Sequence, residues 1–236
     1  MTRPSVDAKA AISPQAVTYN LVGQRLGRKG QETRERVISA MLTLLEDPEG
    51  PPVTLTAVAK EASVGMTTLY LYFPAMGDLL LAALRCVMET AGEAFMKLVR
   101  SYWSDETLAE DCLAFHQAHY RFWKRHARLL RMRNSFADDC DLAVLSYRSG
   151  ATRPLLDALT RQMGCDPAHG DTACAHLATV VLTGLERVAT VVTTPHFHIT
   201  SSAHGTSSEE VYIDILIAAQ SRLTEIAIRD QRRNDR

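Results

Sequence analysis

Hydroxyl and aromatic side chains crowd the stretch MTTLYLYF, from Met66 to Phe73. Thr67 and Thr68 carry O–H groups that bond phosphate oxygens or base edges, and the Met66 tip suits a thymine methyl. Tyr70 and Tyr72 stand two apart, so one helix cannot turn both into the same core. Leu69 and Phe73 stand four apart and share a face that is expected to turn inward on Val58 and Val37. Just upstream, Arg25, Arg28, Lys29, Arg34 and Arg36 stand against Glu32 and Glu35: five positive charges less two negative, or +3 over twelve residues. The whole chain carries −1. Bulk charge therefore does not attract a polyanion, but a short basic segment docks on phosphate whatever the rest of the chain carries. The same run also reads as an ordinary solvated face.

A second chemistry-bearing stretch, FHQAHYRFWKRHARLLRMRNSF, runs from Phe115 to Phe136. His119, Phe122, Trp123 and Met132, with Tyr147 further on, are candidate walls of a pocket for a small apolar or aromatic effector. A plain core has the same composition. Cys112, His116 and His119 share a helical face, and His196, His198 and His204 share a polar loop. A metal site requires three such ligands to converge, and histidines on helices are ordinarily just hydrogen-bonded, so no metal is expected. Glu186 and Arg187, inside an apolar segment, read as a buried ion pair or a ligand anchor. The chain has no GxSxG, no HExxH and no glycine-rich phosphate loop, so neither catalysis nor a cofactor is expected.

The elements that must position these residues are helical. Apolar residues recur at three and four throughout, with no sustained alternation of period two, which predicts an all-α fold. A short helix is expected from Ser13-Pro14, a serine cap followed by proline. Further helices are expected over 31–46, 55–62 and 66–73, with Thr54 as a cap, and a long helix over 78–102. Five more are expected over 105–126, 127–137, 140–163, 171–193 and 207–231. The divisions are a basic extension over 1–30, a compact unit over 31–77 and a larger helical region over 78–236. No run of 18 apolar residues occurs, and the first residues lack the apolar core of a secretory signal, so no membrane association is expected. The five cysteines are odd in number and form no CxxC pair, which predicts reduced thiols and a cytoplasmic location.

The segments RERVISAMLTLL, VTLTAVAKEASVGMTTLYLYF and DLLLAAL, over about 34–84, resemble the DNA-binding domain of the tetracycline-repressor (TetR) family. TTLYLYF is the most specific piece. The resemblance implies a three-helix helix-turn-helix domain joined by a long helix to a larger helical ligand-binding and dimerisation domain. It implies double-stranded, palindromic operator DNA as partner. Met66, Thr67, Thr68 and Tyr70 would then enter the major groove, Tyr72 would point at the sugar-phosphate backbone, Thr54 would be a further DNA-binding residue, and Arg25, Arg28 and Lys29 would form a basic arm of the kind that reaches into a minor groove. It also implies a homodimer through the last two helices and a repressor released by its effector. The segments ACAHLATVVLTGLERVATVV and VYIDILIAAQSRLTEIAI are apolar over more than one face, which suits a helix held between a core and a partner.

Three positions depart from the family pattern. Ser63 stands at the turn glycine, Gly65 at the serine cap, and Met76 where a phosphate-binding lysine opens the next helix. The first two cost together about 1–1.5 kcal/mol. Ala75 also replaces a cap, which predicts a later start at Asp78. These departures keep open a second reading, a helical ligand- or metal-binding protein that has lost operator recognition.

Overall fold

The three-and-four spacing folds into helices throughout the computed structural model, which describes residues 25–169, 173–195, 197 and 208–234 and holds no strand among them. The fold is all-α. The expected helix at Ser13-Pro14 lies outside the described residues.

Helix α1 spans Arg28–Glu46 and starts earlier than the glycines suggest. Gly27 serves as its N-cap, and the Gln31 N–H donates to the Gly27 carbonyl at 3.0 Å. Arg28 and Lys29 therefore belong to a helical first turn rather than to an extended arm. Helix α2 spans Leu55–Glu61, where Thr54 Oγ1 accepts the Ala57 N–H at 3.2 Å as an N-cap should. Helix α3 spans Met66–Tyr72. Between α2 and α3, Ser63 takes φ 54°, the left-handed conformation usually left to glycine. Gly65 caps α3 without a side-chain bond. Leu69 and Phe73 are buried with Val37, Met41 and Val58, as their spacing predicts, and the Arg34 guanidinium sits over the Phe73 ring at 5.1 Å.

Helix α4 spans Met76–Glu89 and starts two residues before the expected cap. Asp78 acts from inside the first turn, where its carboxylate accepts the Ala75 N–H at 3.1 Å. Nor does the helix run on to Tyr102. A π-helical turn over Gly92–Met96 interrupts it, a short α5 follows over Lys97–Arg100, and Trp103 then anchors the chain. The Gln162 amide donates to the carbonyls of Val99 and Ser101 at 2.9 and 2.6 Å and accepts the Trp103 N–H at 3.2 Å. No periodicity in sequence announces a contact between residues so far apart.

The remaining helices are α6 (Leu108–Arg125), α7 (Ala127–Asp138), α8 (Leu142–Gln162), α9 (Ala173–Val192) and α10 (Glu209–Asn234). Helix α6 is central and packs most extensively on α10. Helix α7 ends in a Schellman turn: Cys140 takes φ 63° and the Asp141 N–H donates to Phe136 O at 2.9 Å. Asp141 then caps α8 by accepting the N–H groups of Ala143 and Val144 at 3.0 and 3.1 Å. Among the described helices, α9 alone is by itself long and apolar enough to cross a bilayer by length and composition; here it packs on α6, α8 and α10.

The cysteines differ from expectation. Cys165 and Cys174 form a disulfide across the α8–α9 connection, while Cys86, Cys112 and Cys140 are free. The break after α8, with Gly164 at φ 92°, reverses the chain and brings the two Cα atoms to 6.4 Å, within disulfide reach. Sequence spacing alone concealed that reversal.

Candidate nucleic-acid interface and effector cavity

Burying Leu69 and Phe73 fixes what α3 shows to solvent. Thr67, Tyr70 and Leu71 are exposed, and Thr68 is half-buried. Met66 instead turns partly onto the core, and Tyr72 is half-buried against it. A Cβ on Gly30 would lie 3.5 Å from the Tyr72 hydroxyl, so the end of α3 sits beside the basic first turn of α1. That turn contains no acidic residue, and a helix N-terminus leaves its first backbone N–H groups without partners inside the helix. Arg28 pairs with Glu32 at 2.9 Å yet remains 94 % exposed, which leaves its other guanidinium nitrogens open to a second anion. Arg25, Lys29 and Thr54 are exposed as well. Arg34 is half-buried on Phe73, so one cation of the run serves packing. Leu71 was missed in sequence because its aliphatic type suggests core.

Deeper in the molecule, a cavity of about 660 Å³ opens between α4, the π-helical turn, α6, α7 and α8. That volume lies within the range of about 300–1,000 Å³ typical of small-molecule sites. His119, Phe122, Trp123 and Tyr147 line it as expected. Met132 does not, because α7 turns Leu130 and Arg133 to the cavity and places Met132 off that face, against the core. Phe95 and Met96, on the π-helical turn, also line it. Turns of this type widen a helix and often mark functional sites. Pro154 stands in the α8 wall and supplies no N–H to the carbonyl of Gly150, one turn back on the same wall.

The polar groups around the cavity divide sharply. Arg133 is buried, donates to Glu186 at 3.1 Å and to Asn134 at 3.0 and 3.1 Å, and lies over the Trp123 ring at 5.4 Å. Glu186 thus pairs across helices with Arg133, and Arg187 faces solvent. His116 is buried and satisfied: Nδ1–H donates to the Cys112 carbonyl at 2.9 Å, so Nε2 accepts the Thr224 hydroxyl at 3.1 Å. Burial holds its pKa down to about 4. His119, nearly one turn on, is equally buried, and burial pushes its pKa to about 3. Its Nδ1 nevertheless has no partner, and neither has Trp123 Nε1. Among the described residues no cluster of His, Cys, Asp or Glu is placed to hold a metal, and His196, His198 and His204 lie outside them.

One long-range contact ties the two regions together. Arg128, in the first turn of α7, donates to the carbonyls of Leu44, Asp47, Gly50 and Pro51 at 2.9, 2.6, 3.0 and 2.6 Å. It clamps the end of α1 and the loop that leads to α2. In sequence it was one basic residue among many. No family model matches the chain, and no curated protein matches it.

Proposed function

We propose that this chain is a DNA-binding transcription regulator, a homodimeric repressor released by a small apolar or aromatic effector. On this reading α1–α3 form a helix-turn-helix domain of the TetR type and the helices from α4 onward form the effector and dimerisation domain. The observation that carries it is the exposed face of α3, with Thr67, Tyr70 and Leu71, beside a basic helical first turn. Two hydroxyls and an aliphatic tip are the groups that read base edges and thymine methyls. Arg25, Arg28 and Lys29, backed by the N-terminus of α1, supply phosphate contacts where Met76 offers none.

The cavity supplies the effector site, and two elements connect it to the DNA face. Helix α4 contributes Arg85 and Met88 to the cavity and starts three residues after Phe73. Helix α7 contributes Leu130 and Arg133 to the cavity and Arg128 to the loop over 47–51. An effector that shifts either helix changes the setting of α3 in the groove. Outer apolar residues on α9 and α10, among them Val180, Ile215 and Leu223, supply the dimer face.

The test is a gel shift with duplex DNA from upstream of the chain's own gene, titrated against nonspecific competitor and salt. A shift that survives competitor and weakens steeply with salt is expected. Sequence-independent binding alone, or no binding, overturns the reading in favour of a ligand-binding protein without operator recognition.

A further inference from the structure

The cavity has apolar walls, Phe95, Phe122, Trp123, Leu130 and Leu155 among them, but it is not uncharged. Arg85, Arg100 and Arg133 stand around it against Glu89 and Glu186: three positive charges less two negative, or +1. The five do not weigh equally. Arg85, Glu89 and Arg100 are exposed, where water screens them, and Glu89 stands one turn on from Arg85 and offsets it. Arg133 is 2 % exposed, and a charge so placed acts on a guest far more strongly.

Arg133 is also only partly satisfied. A guanidinium carries five N–H donors on three nitrogens. Nε and Nη2 donate to Asn134 Oδ1 at 3.1 and 3.0 Å, and Nη2 alone donates to Glu186 Oε1 at 3.1 Å. Glu186 therefore does not hold the two-nitrogen fork of a complete arginine–carboxylate pair. Nη1 donates to nothing among the described residues. The side-chain atoms among them that are both enclosed and unbonded are His119 Nδ1 and Trp123 Nε1, so Arg133 Nη1 borders open space. The open space that Arg133 lines is the cavity. Arg232 shows that this is not how buried arginines stand throughout the chain. Its side chain is 9 % exposed, and it donates through all three nitrogens, to Gln162 O, Asp105 Oδ1 and Trp103 O at 2.8, 2.7 and 2.9 Å.

We infer that the cavity binds an apolar or aromatic carboxylic acid as its anion, with the hydrocarbon body against the aromatic walls and the carboxylate on Arg133 Nη1. One net positive charge matches a monoanion. A neutral guest fills the same walls but leaves Nη1 without a charged partner. This inference rests on the effector reading of the cavity and adds the chemical class of the effector.

The experiment compares 2-naphthoate, 2-naphthalenemethanol and 2-naphthalenemethylammonium as probes of the full chain without DNA, by calorimetry at neutral pH. The three share one ring body and differ in charge. 2-Naphthoate is expected to bind at least about tenfold tighter than the alcohol, the value of a charge-assisted hydrogen bond, and the cation weakest of the three. Glu186→Gln keeps an oxygen for Arg133 Nη2 and removes the competing charge. It is expected to raise 2-naphthoate affinity at least about fivefold and to leave the alcohol unchanged, a result that a purely structural ion pair would not give. Arg133→Gln with Glu186→Gln removes both charges together, so neither is left buried alone, and is expected to abolish the preference for 2-naphthoate. Equal binding of 2-naphthoate and the alcohol, unchanged or weaker binding of 2-naphthoate to Glu186→Gln, a preference that survives the double variant, or no binding of any probe overturns the inference. Because DNA is absent, preferential binding of 2-naphthoate without any specific gel shift leaves the inference standing and defeats the regulator reading instead.

Discussion

Ser63 holds φ at 54° with its side chain in solvent, so nothing about its hydroxyl repays the strain. Ser63→Gly is expected to stabilise the chain by about 1 kcal/mol, read as a higher urea midpoint at unchanged slope. An unchanged or lower midpoint would show that the turn is not strained. Gly65 has open space around a built Cβ, so Gly65→Ser adds the missing cap and a few tenths of a kcal/mol more. Both features were legible because they are local: a turn of fixed length between two short helices dictates which residue must adopt positive φ. The inward pair Leu69 and Phe73 was legible for the same reason. Met66, Tyr72 and Met132 were assigned to surfaces or walls, yet each is half-buried on the core. Their rotation about the helix is set by neighbours from other segments. The Arg128 clamp and the Arg133–Glu186 pair were not legible at all, because those partners lie 53 to 84 positions away.

At the scale of elements, α7 joins the cavity to the N-terminal helices. Arg128 satisfies four carbonyls at the end of α1 and in the loop after it, groups that a helix C-terminus leaves open. Gly50 is part of the same fit, since a Cβ there would meet Arg128 Nη1 at 2.7 Å. Arg128→Ala is expected to cost about 2–4 kcal/mol in stability. If the chain is the effector-released regulator proposed above, the same change is expected to leave effector affinity within about threefold while reducing the effector's influence on DNA affinity. Denaturation, calorimetry and gel shifts with and without effector separate these effects. Full coupling retained in Arg128→Ala would move the connection to α4 alone. Helix α4 itself illustrates the limit of pattern reading. Its apolar stripe extends past Glu89, so periodicity predicted one long helix, but the cavity wall is made by the π-helical turn that breaks it. A pattern of apolar residues records which face is buried, not where an extra backbone residue has been inserted.

For the whole molecule, the outer apolar face of α9 and α10 and the buried histidines give separate expectations. Val211, Ile215, Leu223 and Ile226 on α10, with Val180 on α9, are all at least 47 % exposed, a stripe that the proposed twofold dimer would cover. Ile215→Asp with Leu223→Asp is expected to give monomers by sedimentation and to weaken operator binding about a hundredfold or more, since each half-site is then bound alone. A dimer surviving both changes would place the interface elsewhere. The second expectation concerns acid. Burial lowers the pKa of His116 to about 4 and of His119 to about 3. In the unfolded chain both titrate near 6.5, so below that pH the unfolded state takes up two protons that the folded state excludes. Stability is complete above about pH 7 and declines as pH falls, with a slope approaching about 2.7 kcal/mol per pH unit. The half-buried His126, lowered to about 4 by burial and by Arg125 beside it, adds a smaller, solvent-screened share. Between pH 6.5 and 5 few carboxylates titrate, so this window isolates the histidines. Urea midpoints measured across it are expected to fall steeply, and His119→Phe is expected to reduce the slope by about 1.4 kcal/mol per pH unit. A flat profile would mean that both rings take up their protons inside the folded protein as readily as in the unfolded chain.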